Sequence, residues 1–333
     1  MTIKFAGRLF ALLAPVVAPP TIAWSQPQPA PPPQLSPEQV AAIAAELIER
    51  GKMPDSPGTG PYRVVKHVLP GLPDEVVYQP ADLAQLGDRK MPVYVFGNGS
   101  CSEDAASSRH HLIEIASHGY LVISPGGIFS GPGIEMTAES LQQHRSKTSF
   151  TQLGRAIDWA IAENSRKDSP FYGKIATDRV VASGYSCGGV QALKYAGDPR
   201  IRSFVIMNSG IFPENSARMQ EMQSGKDLLD KIDVPILYVL GGPRDIAYAN
   251  GMDDFSRIRN APVAVINIDV THAGTYADPN GGRAAQAVVN WLEWQMRDDI
   301  AAAKWFVGPD CRLCKDAAWT IQWRNQEMLK PTP

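Results

Sequence analysis

The stretch from Arg179 to Ala196 reads RVVASGYSCGGVQALKYA: an apolar run, a polar turn between glycines, and a second run at helical spacing. A chain that passes this abruptly from strand to helix has few folds open to it, because parallel strands need crossover connections to reach their neighbours. The rest of the sequence repeats the alternation. YRVVKHVL (62–69) and EVVYQ (75–79), separated by PGLPD, predict an antiparallel opening pair. MPVYVF (91–96) is apolar at nearly every position, which suits a strand covered on both faces. AASSRHHLIEIASHG (105–119) predicts a helix and YLVIS (120–124) a strand; Phe150, Leu153, Ile157 and Ile161 are spaced for another helix over about 148–163. RVVAS (179–183), SFVIMNS (203–209), PILYVL (235–240) and VAVINI (263–268) read as further strands, and GRAAQAVVNWLEWQMRD (282–298) as a long amphipathic helix. The class this predicts is α/β, a mostly parallel central sheet with helices on both faces.

Gly184-Tyr185-Ser186-Cys187-Gly188 fits G-x-S-x-G where the strand RVVAS gives way to the helical run VQALKYA. The glycines are needed sterically, since so sharp a turn strains the backbone at its apex and brings neighbouring chain close. Such a turn lifts its apex side chain to the end of the sheet. Two adjacent side chains there, Ser186 and Cys187, are of nucleophilic type.

On this strand–turn–helix motif the chain resembles the α/β-hydrolase superfamily from about Tyr62 to Arg297. The resemblance implies the α/β-hydrolase fold, with nucleophile, acid and histidine in that chain order. The histidines stand at 67, 110, 111, 118, 144 and 272, and only His272 follows Ser186. It lies in the loop VTHAG, between VAVINI and the long helix, where the superfamily keeps its base. Ser186 is therefore the expected nucleophile and His272 the expected base, with His110 and His111 packed or solvated in a helix. Acid candidates between the two include Asp227, Asp230, Asp233, Asp245, Asp253, Asp254 and Asp269. Asp245, just past PILYVL in GGPRDIAY, stands where the resemblance puts the acid; Asp253 and Asp254 read as a cap or a solvated face. An oxyanion hole would take the N–H of Cys187 and a second from Gly97-Asn98-Gly99-Ser100-Cys101, with Gly99 the first choice and Asn98 the second. The segments 125–147 and 210–231 interrupt the alternation after strand ends and are expected to wall the pocket, with Phe129 and Tyr185 contributing to it.

The first 25 residues read as a signal peptide: Lys4 and Arg8, the apolar LFALLAPVVAPP, then Ala23 and Ser25 as small residues flanking Trp24. Cleavage near Ser25 and a secreted or periplasmic protein are expected. The apolar run is short and broken by prolines, and no cysteine precedes Cys101, so no stable membrane anchor is expected. Residues 26–35 form a proline-rich linker and 36–61 a helical extension opening at Ser36-Pro37-Glu38-Gln39. The catalytic domain is placed at 62–297 and a C-terminal extension at 298–333. A net charge of −2 leaves no basic excess, which argues against nucleic acid as a partner. Nothing in the sequence fixes an oligomeric state.

Export puts the four cysteines in an oxidising compartment. The fold implied by the resemblance brings the 97–101 loop beside the elbow, so Cys101 is expected to pair with Cys187, and Cys311 with Cys314 as a pin for the C-terminal tail. Cys311-Arg312-Leu313-Cys314 lacks the histidine of a haem site, is too sparse for zinc, and follows no strand as a redox pair would. The expected activity is serine-dependent hydrolysis of carboxylic esters, small or polymeric, with no metal or organic cofactor. Within the superfamily, the G-x-S-x-G-G elbow and short interruptions are similar to dienelactone-hydrolase-like enzymes and to secreted polyester- or cutinase-type esterases. Polyester hydrolases usually carry methionine where this chain has Cys187. Two expectations compete: an exopeptidase or amidase, which usually adds a large propeller or cap domain, and a catalytically silent binding or redox protein on the same fold.

Overall fold

The computed structural model describes residues 36–213 and 219–329. The signal peptide and the linker expected over 1–35 lie outside the described residues, as do residues 214–218 of the second interrupting segment. The strands are β1 (Val64–Leu69), β2 (Leu72–Pro80), β3 (Met91–Gly97), β4 (Leu121–Pro125), β5 (Ile175–Tyr185), β6 (Ile201–Met207), β7 (Ile236–Leu240), β8 (Val263–Ile268) and β9 (Trp319–Arg324). They form one sheet in the order β1-β2-β4-β3-β5-β6-β7-β8-β9. β1, β2 and β4 pair antiparallel, β4 through β8 run parallel, and β9 closes the far edge antiparallel to β8. This is the α/β-hydrolase fold.

Strand periodicity sorts each strand's side chains into two cores. On β3, Tyr94 and Phe96 face one side while Val93 and Val95 face the other, all fully buried. The helices are α1 (Pro37–Lys52), α2 (Arg109–Ser117), α3 (Ala138–Gln143), α4 (Thr151–Ser165), α5 (Cys187–Leu193), α6 (Tyr248–Arg257), α7 (Gly282–Arg297), α8 (Ile300–Ala303) and α9 (Arg312–Lys315). α2 and α7 cover the Tyr94 face through Leu112, Ile115, Val288, Trp291 and Leu292; α4, α5 and α6 cover the opposite face through Leu153, Ile157, Leu193 and Phe255. With apolar cover on both sides, the continuous apolar run of β3 is what its position requires. No helix among the described residues is long and apolar enough to cross a membrane.

Two elements differ from the sequence expectation. α2 begins at Arg109 rather than Ala105, because the Asp104 carboxylate accepts the N–H of Ala106 and holds residues 104–107 as a turn. The strand β9 was not foreseen within residues 298–333. It pairs residue by residue with β8, Trp319 against Ile268 and Arg324 against Val263, so the C-terminal stretch completes the sheet. The Cys311–Cys314 disulfide lies just before it, in the turn of α9.

Candidate active site

The parallel strands deliver their carboxyl ends to one edge, and the singled-out residues gather there. Ser186 follows β5 with φ 53° and ψ −119°, a conformation a non-glycine residue adopts only where its surroundings impose it. Those surroundings are glycine contacts. A Cβ on Gly188 would lie 2.0 Å from the Gly97 carbonyl carbon, and one on Gly184 would lie 2.2 Å from the Gly188 oxygen. The end of β3 can thus press directly against the elbow, as the G-x-S-x-G pattern anticipates. The turn is further tied by the Ser186 N–H to Met207 C=O and by the Ser209 hydroxyl to Ser186 C=O, at 3.0 and 2.6 Å.

His272 lies in the loop after β8. Its Nδ1 is 2.6 Å from Asp245 Oδ1 and its Nε2 is 3.0 Å from Ser186 Oγ. An ionised carboxylate only accepts, so this contact puts the imidazole proton on Nδ1 and leaves Nε2 to accept from the serine hydroxyl. The Asp245 side chain is buried, and both of its oxygens are fully served. Oδ1 accepts from His272 and from the Ala247 N–H; Oδ2 accepts from Asn208 Nδ2 at 2.8 Å and the Gly241 N–H at 3.0 Å. Burial pushes this carboxyl up, but the His272 bond and charge, the Ala247 N–H and the Asn208 amide outweigh it and hold Asp245 below the usual carboxylate range. The neighbouring candidates are elsewhere. Asp253 pairs with Arg257 and Lys226, whereas Asp254 is wholly buried and takes Lys226, the Ile211 N–H and Tyr238. Asp254 is therefore an internal anchor rather than the cap or solvated face expected from the sequence, because the Ile211 N–H and the Lys226 ammonium both reach it on α6.

Cys187 opens α5 next to the serine, and its sulfur is joined to Cys101, with the Cα atoms 5.3 Å apart. The bridge fastens the loop after β3 to the elbow. In that loop Asn98 is fully buried. Its amide donates to the carbonyls of Ser102 and Pro125, and its oxygen accepts from the Ser124 hydroxyl. Gly99 must lack a side chain, for its Cβ would fall 2.4 Å from the Tyr185 ring. The N–H groups of Cys101 and Ser102 bond back to Asn98 and Gly99 C=O, so the free donors of the loop are to be sought before Cys101. Tyr185, expected along the pocket, is half-buried. Its hydroxyl donates to the His272 carbonyl at 2.8 Å and its ring packs against Tyr276 and His272. Phe129 is exposed on the 125–147 segment and stacks flat on His144, whose Nδ1 meets Glu103 in the stretch following the disulfide loop.

Asn208 and Tyr276 were not among the sequence candidates. Asn208 follows β6, beside the elbow strand, and Tyr276 donates to its side-chain oxygen. For Asn208 the available signal was a polar residue ending an otherwise apolar central strand, at the sheet edge where ligands of such folds bind; Tyr276, in the loop after β8, carried none.

A parallel sheet with a glycine-flanked elbow and a serine, a histidine and an aspartate drawn together at its carboxyl edge defines an α/β-hydrolase. The chain belongs to the PETase family, described as PET hydrolase-like, whose family model matches residues 59–316. This is an ester-cleaving hydrolase family of the polyester and cutinase type. The chain is also 26% identical over 145 residues to "Hydrolase ffsE" of Aspergillus flavipes, a match covering 43% of this chain and 31% of that protein. The matched region thus spans about a third of that relative's length.

Proposed function

We propose that the protein is an exported serine hydrolase that cleaves carboxylic esters through an acyl-enzyme, with Ser186 as nucleophile, His272 as base and Asp245 as the group that orients it. The observation that carries this reading is the chain of two contacts, Ser186 Oγ to His272 Nε2 to Asp245 Oδ1, at 3.0 and 2.6 Å. Ser186 attacks the ester carbonyl as His272 Nε2 takes its proton, and Asp245 stabilises the imidazolium that results. The oxyanion is received by the N–H of Cys187 and a second N–H from Asn98 or Gly99. Collapse of the tetrahedral species expels the alcohol, which takes the proton from His272. Water activated by the same imidazole then attacks the acyl-enzyme and releases the acid. The two disulfides are in keeping with an oxidising compartment, and export rests on the N-terminal signal pattern.

The test is turnover of p-nitrophenyl esters. Ser186→Ala is expected to remove activity by about three orders of magnitude or more. Cys187→Ala keeps the backbone N–H and is expected to retain at least about 1% of the rate. The reverse ranking would move the nucleophile to the cysteine. N-terminal sequencing of protein collected outside the cytoplasm checks export, with a start near Gln26 expected and an intact Met1 against it.

A further inference from the structure

Asn208 is buried at the end of β6 with φ 44°. Asparagine tolerates such a backbone better than most residues, which is by itself a sufficient reason for its presence. Its side chain does more than that reason requires. The amide nitrogen donates to Asp245 Oδ2 at 2.8 Å and to Thr271 C=O at 3.2 Å, in the residue preceding His272. The amide oxygen accepts from the Tyr276 hydroxyl at 2.9 Å. Tyr276 is buried against Tyr185, which in turn donates to the His272 carbonyl. Because a phenol this deeply buried stays protonated, it presents a donor to the amide oxygen and so holds the amide with its nitrogen toward the carboxylate.

We infer that Asn208, its amide fixed by Tyr276, is a positioning residue of the hydrolytic step. It holds the Asp245 carboxylate in line with His272 Nδ1 and shares its charge, while touching neither substrate nor the reacting atoms. The inference rests on the proposed roles of Ser186, His272 and Asp245. Its effect belongs to the transition state, where the imidazole becomes charged and the carboxylate must already be aimed at it. Ground-state binding of the ester does not involve Asn208.

Asn208→Gly separates this role from the backbone explanation, since glycine adopts φ 44° freely and lacks only the amide. With a p-nitrophenyl ester, kcat is expected to fall about ten- to a hundredfold, as for loss of one hydrogen bond to a charged group, while KM stays within about twofold. The low-field proton resonance of His272 Nδ1 is expected to shift or broaden in the same variant. Tyr276→Phe, which removes a single oxygen, should move both readouts in the same direction by a smaller factor, and it carries the test should the glycine variant not fold. A wild-type kcat with an unmoved resonance in either folded variant overturns the inference and leaves Asn208 a backbone residue. Fluorophosphonate labelling of wild-type protein keeps the two levels apart. A labelled Ser186 with an unaffected Asn208→Gly sinks the positioning role alone, whereas an unlabelled Ser186 sinks the proposed function beneath it.

Discussion

Three neighbouring aspartates illustrate what makes a carboxylate useful. Asp253 is an ordinary surface ion-pair member, and Asp254 is buried deeply enough that desolvation raises it to about 6 despite Lys226. Asp245 is buried too, yet its donors keep it ionised, which the proposed orienting role needs. Asp245→Asn offers His272 an amide donor and so favours the wrong imidazole tautomer; ester turnover is expected to fall about 10³- to 10⁴-fold with the fold intact by circular dichroism. A loss under about tenfold would show that another carboxylate orients the base. Ser186 and His272 could be singled out from the sequence because the motif, the chain order and the single downstream histidine leave little choice, whereas Asp245 was preferred among several aspartates only because the resemblance puts the acid just past PILYVL. Asn208 and Tyr276 could not. Their significance is a matter of which atoms they reach across the sheet edge, and a lone asparagine or tyrosine carries no spacing that reports it.

The strands and main helices announce themselves through period, since each is covered by apolar neighbours on a known side. The strand β9 escaped because it comes after a disulfide turn in a stretch read as a tail. Its alternation Trp319, Ile321, Trp323 was nevertheless present, and those residues pack on or beside the α7 core. In the middle of the sheet, the link between the β3 loop and the elbow after β5 is covalent. Cys101 and Cys187 are 86 positions apart, so their bridge restricts a long loop of the unfolded chain, whereas Cys311–Cys314 closes a separation of only 3. Cys101→Ser with Cys187→Ser is expected to cost about 2–5 kcal/mol, read as a fall of about 5–15 °C in Tm. The pair Cys311→Ser with Cys314→Ser should cost clearly less. Equal losses in a thermal scan would mean that loop length does not govern what these bridges contribute.

At the scale of the whole molecule, the two cores bury ionisable groups that make stability depend on pH. His111 is fully enclosed among Tyr94, Phe96 and Tyr276, with Glu114 on its own helix and the Tyr94 hydroxyl at its Nε2. Burial pushes its pKa down to about 4, against 6.5 in an unfolded chain, with Glu114 only partly opposing. The unfolded state therefore binds the proton first. The contribution of neutral His111 is fully present above pH 6.5 and is lost as pH falls toward 4. By pH 4.5 the loss from this one group is about 2–3 kcal/mol. Denaturant melts of the protein and of His111→Gln at pH 7.5 and 4.5 should show a smaller acid loss in the variant; parallel losses would place the acid sensitivity elsewhere. The most direct measurement on the account as a whole addresses the elbow. Incubation with a fluorophosphonate, followed by peptide mass spectrometry without reduction, should give one adduct on Ser186 with Cys101 and Cys187 still joined. An unmodified Ser186, or an adduct on another side chain in folded protein, would contradict the account.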